Sequence, residues 1–355
     1  MGKLGFGLMR LPKRDGEVNM DELCKMVDLF LARGGTYFDT AFVYKGSEET
    51  TRKALVERHP RNSYTLASKL HAAVVSTKEE AEQEFYTSLE RCGTDYFDYY
   101  LLHALTEGNH ELYDKFDLWN FVQARKAEGK IRHIGFSFHG GPELLEKLLT
   151  EHPEVEFVQL QINYADWENP KVQARKNYEI VRRFGKQLVI MEPVKGGTLM
   201  RLPKAVRDIF ANSKFGPAEW ALKFAASMDG LLAVLSGMSD LAQMEENTTL
   251  LHNFDKLSEK DFATAVEAGI CFSSAREIPC TACGYCLEGC PQQIQIPKLF
   301  SAYNELLFTG NRPPYEAIEG THADGCIGCK KCEEVCPQHI KISEKMQTLV
   351  ETFGA

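Results

Sequence analysis

Hydrophobic and polar positions follow two rhythms along the first 250 or so residues. Short runs rich in β-branched, aromatic and leucine side chains, each bounded by turn residues, predict strands. They are LGFGLMRL (4–11), TYFDTA (36–41), SYTLASK (63–69), YFDYYLLH (96–103), RHIGFSF (132–138), FVQLQIN (157–163), LVIMEPV (188–194) and LLAVLSG (231–237). Between them apolar residues recur at helical spacing, as in MDELCKMVDLFLARGG (20–35), KEEAEQEFYTSLERCG (78–93) and LWNFVQARKAEGK (118–130). In the first, Leu23, Met26, Val27, Phe30 and Leu31 share a face, and Gly34-Gly35 follow where a C-cap belongs. Asn169-Pro170 and Gly216-Pro217 predict helix starts, with Pro near the first helical position.

Eight strand–helix alternations over about 250 residues predict an α/β fold, a (β/α)8 TIM barrel. An open, doubly wound sheet competes, because alternation alone does not show closure. Against it, no Gly-x-Gly-x-x-Gly opens the first helix, so a dinucleotide would lack the cradle of such sheets. The expected organisation is a barrel over residues 1–252, a helical linker over 253–279 and a distinct domain over 280–355.

That last segment changes character, becoming rich in Cys, Gly and Pro. Cys280, Cys283, Cys286 and Cys290 recur 46 residues later as Cys326, Cys329, Cys332 and Cys336, each run closed by a proline, Pro291 or Pro337. C-x-x-C-x-x-C-x-x-x-C-P is the run that wraps a 4Fe–4S cluster, with the fourth cysteine reaching over to the other cluster. The assignment is therefore Cys280, Cys283, Cys286 and Cys336 to one cluster, and Cys326, Cys329, Cys332 and Cys290 to the other. Gly284, Gly325 and Gly328 give the wrapping backbone its freedom. Structural zinc is the competing reading, though it favours two Cys pairs with a longer spacer. The apolar stretches after each run, 291–300 and 337–346, are expected to pack beside the clusters. Cys24, Cys92 and Cys271 are scattered and read as ordinary core or surface residues.

Bulk properties narrow the partners. The net charge of −9 argues against a nucleic-acid surface. No stretch approaches the ~20 apolar residues of a membrane span, and the N-terminus lacks a secretory h-region, so a cytoplasmic protein with no membrane partner is expected.

Four polar residues fall at or just after strand ends, where barrel active sites are built. Asp39 ends the second strand, Tyr44 follows in its loop, Lys69 ends the third and His103 ends the fourth. Together they suit carbonyl reduction. A carbonyl that accepts hydride becomes an alkoxide and needs a proton. A tyrosine beside an ammonium, itself held by a carboxylate, is expected to have its high pKa lowered into use.

FDTAFVY, ASKL and YYLLH resemble the aldo-keto reductases, whose tetrad is Asp, Tyr, Lys and His in this order. The likeness runs on through GFSF, FVQLQINY, EPVKGG and LSGMSDLAQMEEN, from residue 4 to about 250. With its cysteine-rich tail the chain resembles the branch of that superfamily carrying a fused ferredoxin-type domain. The resemblance implies a barrel that binds NADP(H) or NAD(H) in an extended pose and reduces a small-molecule carbonyl. Tyr44 would be the proton donor, Lys69 and Asp39 its tuners, and His103 the carbonyl-orienting group. Ser137 and Gln161 would hold the nicotinamide carboxamide, and Gly237, Glu246 and Asn247 the adenosine half. Three positions differ: Phe138 stands for the usual Asn, Glu192 for the aromatic on the nicotinamide face, and Gln243 for the arginine on the 2′-phosphate. A nicotinamide moves two electrons and a 4Fe–4S cluster one. An FMN in the barrel, or a ferredoxin-like redox partner feeding the clusters, is therefore an alternative expectation, and a non-enzymatic redox sensor a further one.

Overall fold

The computed structural model describes residues 3–252, 254–274, 278–309 and 312–354. Eight parallel strands close into a barrel: β1 (Leu4–Gly7), β2 (Tyr37–Asp39), β3 (Thr65–Leu70), β4 (Phe97–Leu105), β5 (Ile131–Phe138), β6 (Phe157–Gln161), β7 (Gln187–Met191) and β8 (Leu231–Ser236). Each pairs with its sequence neighbour, and β1 closes the ring on β8 through Leu4↔Val234 and Phe6↔Ser236. The open-sheet alternative is thereby excluded.

Strand side chains alternate faces. Tyr37, Ala67, Leu101, Phe157, Val189, Ala233 and Leu235 form one buried cluster. Two residues onward on the same faces come Asp39, Lys69 and His103, and four onward from Phe157 comes Gln161, so this parity carries the polar set toward the C-terminal mouth. The opposite faces, with Phe6, Phe38, Leu66, Tyr100, Phe136, Val158 and Leu188, bury against the surrounding helices.

The long helices match their apolar stripes: Met20–Ala32 buries Leu23, Met26, Val27 and Phe30, and Lys78–Cys92 ends on Gly93 at φ 65°. The helix Pro217–Ala226 starts with Pro at its first turn. Asn169-Pro170 does not start a helix. The Asn169 side chain accepts from the backbone N–H of Lys171 and Val172, a local turn, and the helix begins at Ala174. Lys13–Arg14 and Glu17–Val18 pair as a small hairpin; Asp15 and Gly16 both hold positive φ, as a tight Asp-Gly hairpin turn requires.

The helix Glu259–Ser274, within the segment read as a linker, buries Ala265, Ala268 and Phe272 in the barrel's outer core. Beyond it the helices Ile296–Thr309 and Ile342–Phe353 enclose a second core of Ile278, Ile294, Leu299, Phe300, Ile340, Met346 and Leu349. The 46-residue repeat of the sequence is also a repeat of backbone. Positive φ at Ala282, Gly284 and Gln293 recurs at Gly328, Lys330 and His339, and the short helix Tyr285–Glu288 recurs as Lys331–Glu334. Among the described residues no helix is long and apolar enough to cross a membrane.

Candidate active site

The four mouth residues stand together. Lys69 Nζ donates to Asp39 Oδ1 at 2.6 Å and to the Thr40 carbonyl at 2.6 Å, with both side chains fully buried. The same ammonium lies 5.0 Å from the centre of the Tyr44 ring, and that ring meets His103 edge-on at 5.6 Å. The register of β4 shifts between Leu102 and Leu105, and Ala104 takes φ 55°. Such a bulge re-aims the residue beside it, here His103. Ser137 Oγ accepts the displaced Ala104 N–H at 2.7 Å, and Tyr113 OH caps the His103 carbonyl. His103 Nδ1 is buried without a hydrogen-bond partner, as are Asp39 Oδ2 and Glu192 Oε2.

The electrostatics run against one expectation. Burial, reinforced by Tyr285 and Asp39, pushes the Tyr44 hydroxyl well above its ordinary range, so the phenol keeps its proton. Desolvation outweighs the pull of neighbouring cations here. Burial likewise lowers Lys69, raises Asp39 and holds His103 far below its usual value, making the imidazole neutral near pH 7.

Tyr285 belongs to the cysteine-rich segment, which seats on the barrel mouth. Arg10 Nη2 reaches the Thr281 carbonyl, and His339 Nε2 pairs with the His139 carbonyl at 3.0 Å. Thr281 is buried against Gly196, where an added Cβ would meet the Thr281 carbonyl oxygen at 2.5 Å. Gln338 and Gln161 exchange two hydrogen bonds: Gln161 Nε2 to Gln338 Oε1 at 3.0 Å, and Gln338 Nε2 to Gln161 Oε1 at 2.8 Å. Gln161 Nε2 also donates to Asp166, which is ion-paired with buried Lys195 at 2.7 Å. Arg10, Tyr285, Gln338, Asp166 and Lys195 were not singled out as site residues in the sequence. They become visible only when distant segments meet.

The residues assigned to a dinucleotide are placed as follows. Glu192, at φ 57°, faces Arg10 at 3.5 Å. Gln243 closes the N-terminus of the helix Leu241–Leu250, bonding Asp240 and the Ser239 N–H. Asn247 donates to Ser236 Oγ at 3.0 Å, Gly237 lies beside Arg10, and Glu246 is exposed. Phe138 is buried in the outer core, with an edge-on contact to Phe136.

The cysteines of the C-terminal segment lie in two places. Cys280, Cys283, Cys286 and Cys336 lie near one another, with Glu192 near Cys280 and Cys283. Cys290, Cys326, Cys329 and Cys332 line a separate cavity with Ile294, Ile296 and Met346. Backbone N–H groups point at sulfur: Ala282 at Cys280 (3.4 Å), and Gln338, His339 and Ile340 at Cys336. Thiolate sets in an apolar shell with aimed N–H donors fit iron–sulfur clusters.

Comparison with known proteins agrees with this architecture. The model of the aldo/keto reductase family matches residues 3–270, and that of a 4Fe-4S dicluster domain matches residues 279–341. Aldo-keto reductase str7 of Strobilurus tenacellus is 28% identical over 225 residues, covering 60% of this chain and 64% of that protein. The chain thus spans somewhat under two-thirds of this relative. An aldo-keto reductase from Bacillus halodurans in its holo form shares the fold at 23% identity and TM-score 0.63, covering 75% of this chain and 91% of that one. One from Klebsiella pneumoniae in complex with NADPH does so at 19% and 0.59, covering 77% and 92%. With its closed eight-stranded barrel and a family match over most of its length, the chain belongs to the aldo/keto reductase family and carries a C-terminal 4Fe-4S domain.

Proposed function

We propose that the protein is an oxidoreductase that reduces a small carbonyl or conjugated carbonyl compound at the barrel mouth. The observation that carries the reading is the buried Asp39–Lys69 pair beside Tyr44 and His103, directly under the first cysteine group. Tyr44, held in its protonated form, delivers the proton to the developing alkoxide. Lys69, fixed by Asp39 and the Thr40 carbonyl, keeps positive charge near the phenol as it loses that proton. His103, neutral and with a buried unpartnered Nδ1, orients the carbonyl oxygen.

Cys280, Cys283, Cys286 and Cys336 would hold one cluster, and Cys290, Cys326, Cys329 and Cys332 a second. When bound, each supplies one-electron chemistry, and the first group lies on the barrel side. The exposed Cys329 places the second group toward solvent, where a redox partner would reach it. The Klebsiella relative's NADPH extends the reading to a nicotinamide as hydride source. In the seated arrangement the residues do not fit that group, because Gln161 is already paired with Gln338.

The test is turnover of aldehydes, ketones and enones by anaerobically purified protein. It is supplied in parallel with NADPH, NADH and a reduced one-electron donor, alongside iron, sulfide, zinc and flavin analysis. Tyr44→Phe should cut turnover by roughly 10²–10⁴ while leaving the iron content unchanged. A Tyr44→Phe protein that turns over as fast as the parent refutes the assignment.

A further inference from the structure

We infer that Gln338 is an intramolecular ligand of the barrel's carboxamide-reading residue, so that the cysteine-rich segment and a nicotinamide are alternative occupants of one site. The inference rests on the proposed assignment of Gln161 to the nicotinamide carboxamide.

The chemistry is one of identity between functional groups. A glutamine side chain ends in a primary carboxamide, and so does nicotinamide. Each offers one carbonyl acceptor and an NH2 donor in a plane. Gln161 can satisfy such a group with two opposed hydrogen bonds, and it makes both to Gln338. Asp166 fixes the rotamer by taking a further Gln161 proton at 2.8 Å, and Lys195 and Asn163 hold Asp166 in turn. The reader is therefore rigid and fully engaged. Gln161 and Gln338 are both buried, so water does not compete for the pair.

Steric packing reinforces the exclusion. Thr281 lies against Gly196, and His339 bonds the His139 carbonyl. A nicotinamide ring approaching Gln161 from the mouth meets these groups. Its binding requires the segment to lift. A ligand that competes with a tethered group shows an affinity reduced by the fraction of time the site is open.

The internal repeat supplies a control. Gln292 occupies in the first copy the place of Gln338 in the second, following Cys290-Pro291 as Gln338 follows Cys336-Pro337. Gln292 lines the second cysteine cavity instead of meeting the barrel. Truncating Gln338 leaves its backbone N–H, the group aimed at Cys336, in place.

The experiment is anaerobic titration of the holoprotein with NADPH and NADH, read by calorimetry. The variants are Gln338→Ala, Gln292→Ala, Gln161→Ala and the Gln338→Ala/Gln161→Ala pair. Hydrogen exchange of residues 278–286 and 337–341 is followed with and without nucleotide. Gln338→Ala is expected to tighten nucleotide binding by about tenfold, Gln292→Ala to leave it unchanged, and Gln161→Ala to cancel the gain in the double variant. Saturating nucleotide should speed exchange in both segments. Parent-like affinity in Gln338→Ala with weakened binding in Gln161→Ala overturns the competition and leaves the Gln161 assignment standing. Equal affinity in Gln338→Ala and the double variant, or no binding in any variant, overturns the assignment and the competition with it. Nucleotide bound without faster exchange overturns the competition alone.

Discussion

Glu84 offers the most quantitative test of the site's support. It lies on the helix Lys78–Cys92 behind the loop that follows β3, and its Oε2 accepts the His71 N–H at 2.7 Å. Its Oε1 is buried without a partner. Burial pushes this carboxyl up from an ordinary 4.5 to about 8; the His71 N–H opposes the shift, nearby Glu48 adds to it, and Arg91 opposes it weakly. The folded chain thus keeps a proton that the unfolded chain loses. Stability from this group is fully present below about 4.5, falls as pH rises toward about 8, and is constant above. The gap corresponds to about 5 kcal/mol at most. Glu84→Gln keeps an acceptor for His71 and abolishes the titration, at a pH-independent cost of about 1–3 kcal/mol for the unpartnered amide N–H2. Relative to the parent, the variant should be slightly less stable at pH 5 and more stable at pH 8.5. With about 2.1 cal/mol/K of unfolding entropy per residue, the difference in melting temperature should swing by about 4–6 °C across that range. Anaerobic circular-dichroism melts at half-unit pH steps measure it, and cluster loss cancels in the comparison. A difference that stays constant from pH 5 to 8.5 refutes a neutral Glu84.

Three further outcomes are expected. Lys69→Met strands the Asp39 carboxylate in the barrel and should destabilise the fold by about 3–5 kcal/mol in denaturant melts, with Asp39→Asn added to it restoring part of the loss. Cys290→Ser should disturb the cluster held by Cys326, Cys329 and Cys332 and spare the one served by its own run, as seen by electron paramagnetic resonance; damage confined to the Cys280 group contradicts crossed ligation. Gly269→Ala puts a Cβ 1.9 Å from the Tyr164 carbonyl oxygen, so the helix Glu259–Ser274 must shift; a loss of about 1–3 kcal/mol, with faster exchange along that helix, is expected.

Local signals carried much of this architecture. Barrel strands are short apolar runs whose identity depends on residues a few positions apart, so all eight candidates fall on observed strands. The cysteine runs are equally local, since each falls within one short stretch of chain. Asn169-Pro170 misled because an Asx turn and a helix start share the same opening residues, and only the later chain decides between them. The raised Tyr44 pKa lay outside local pattern altogether. Burial comes first, and the electrostatic push that adds to it comes from Tyr285, 241 positions away. The pairing of Gln338 with Gln161 has no sequence signature, because a glutamine carries its amide wherever it falls.

Among the described residues, the polar contacts that seat the cysteine-rich segment end on uncharged acceptors: the Gln161 and Gln338 amides, the Thr281 carbonyl and the His139 carbonyl. Ionic strength acts on separated charges, with a screening length of about 8 Å under physiological conditions. Salt therefore has little leverage on this joint, unlike the charge-steered encounters by which many electron carriers meet their partners. A salt series that strips a soluble donor from the exposed second cysteine group should leave the barrel and its own segment together.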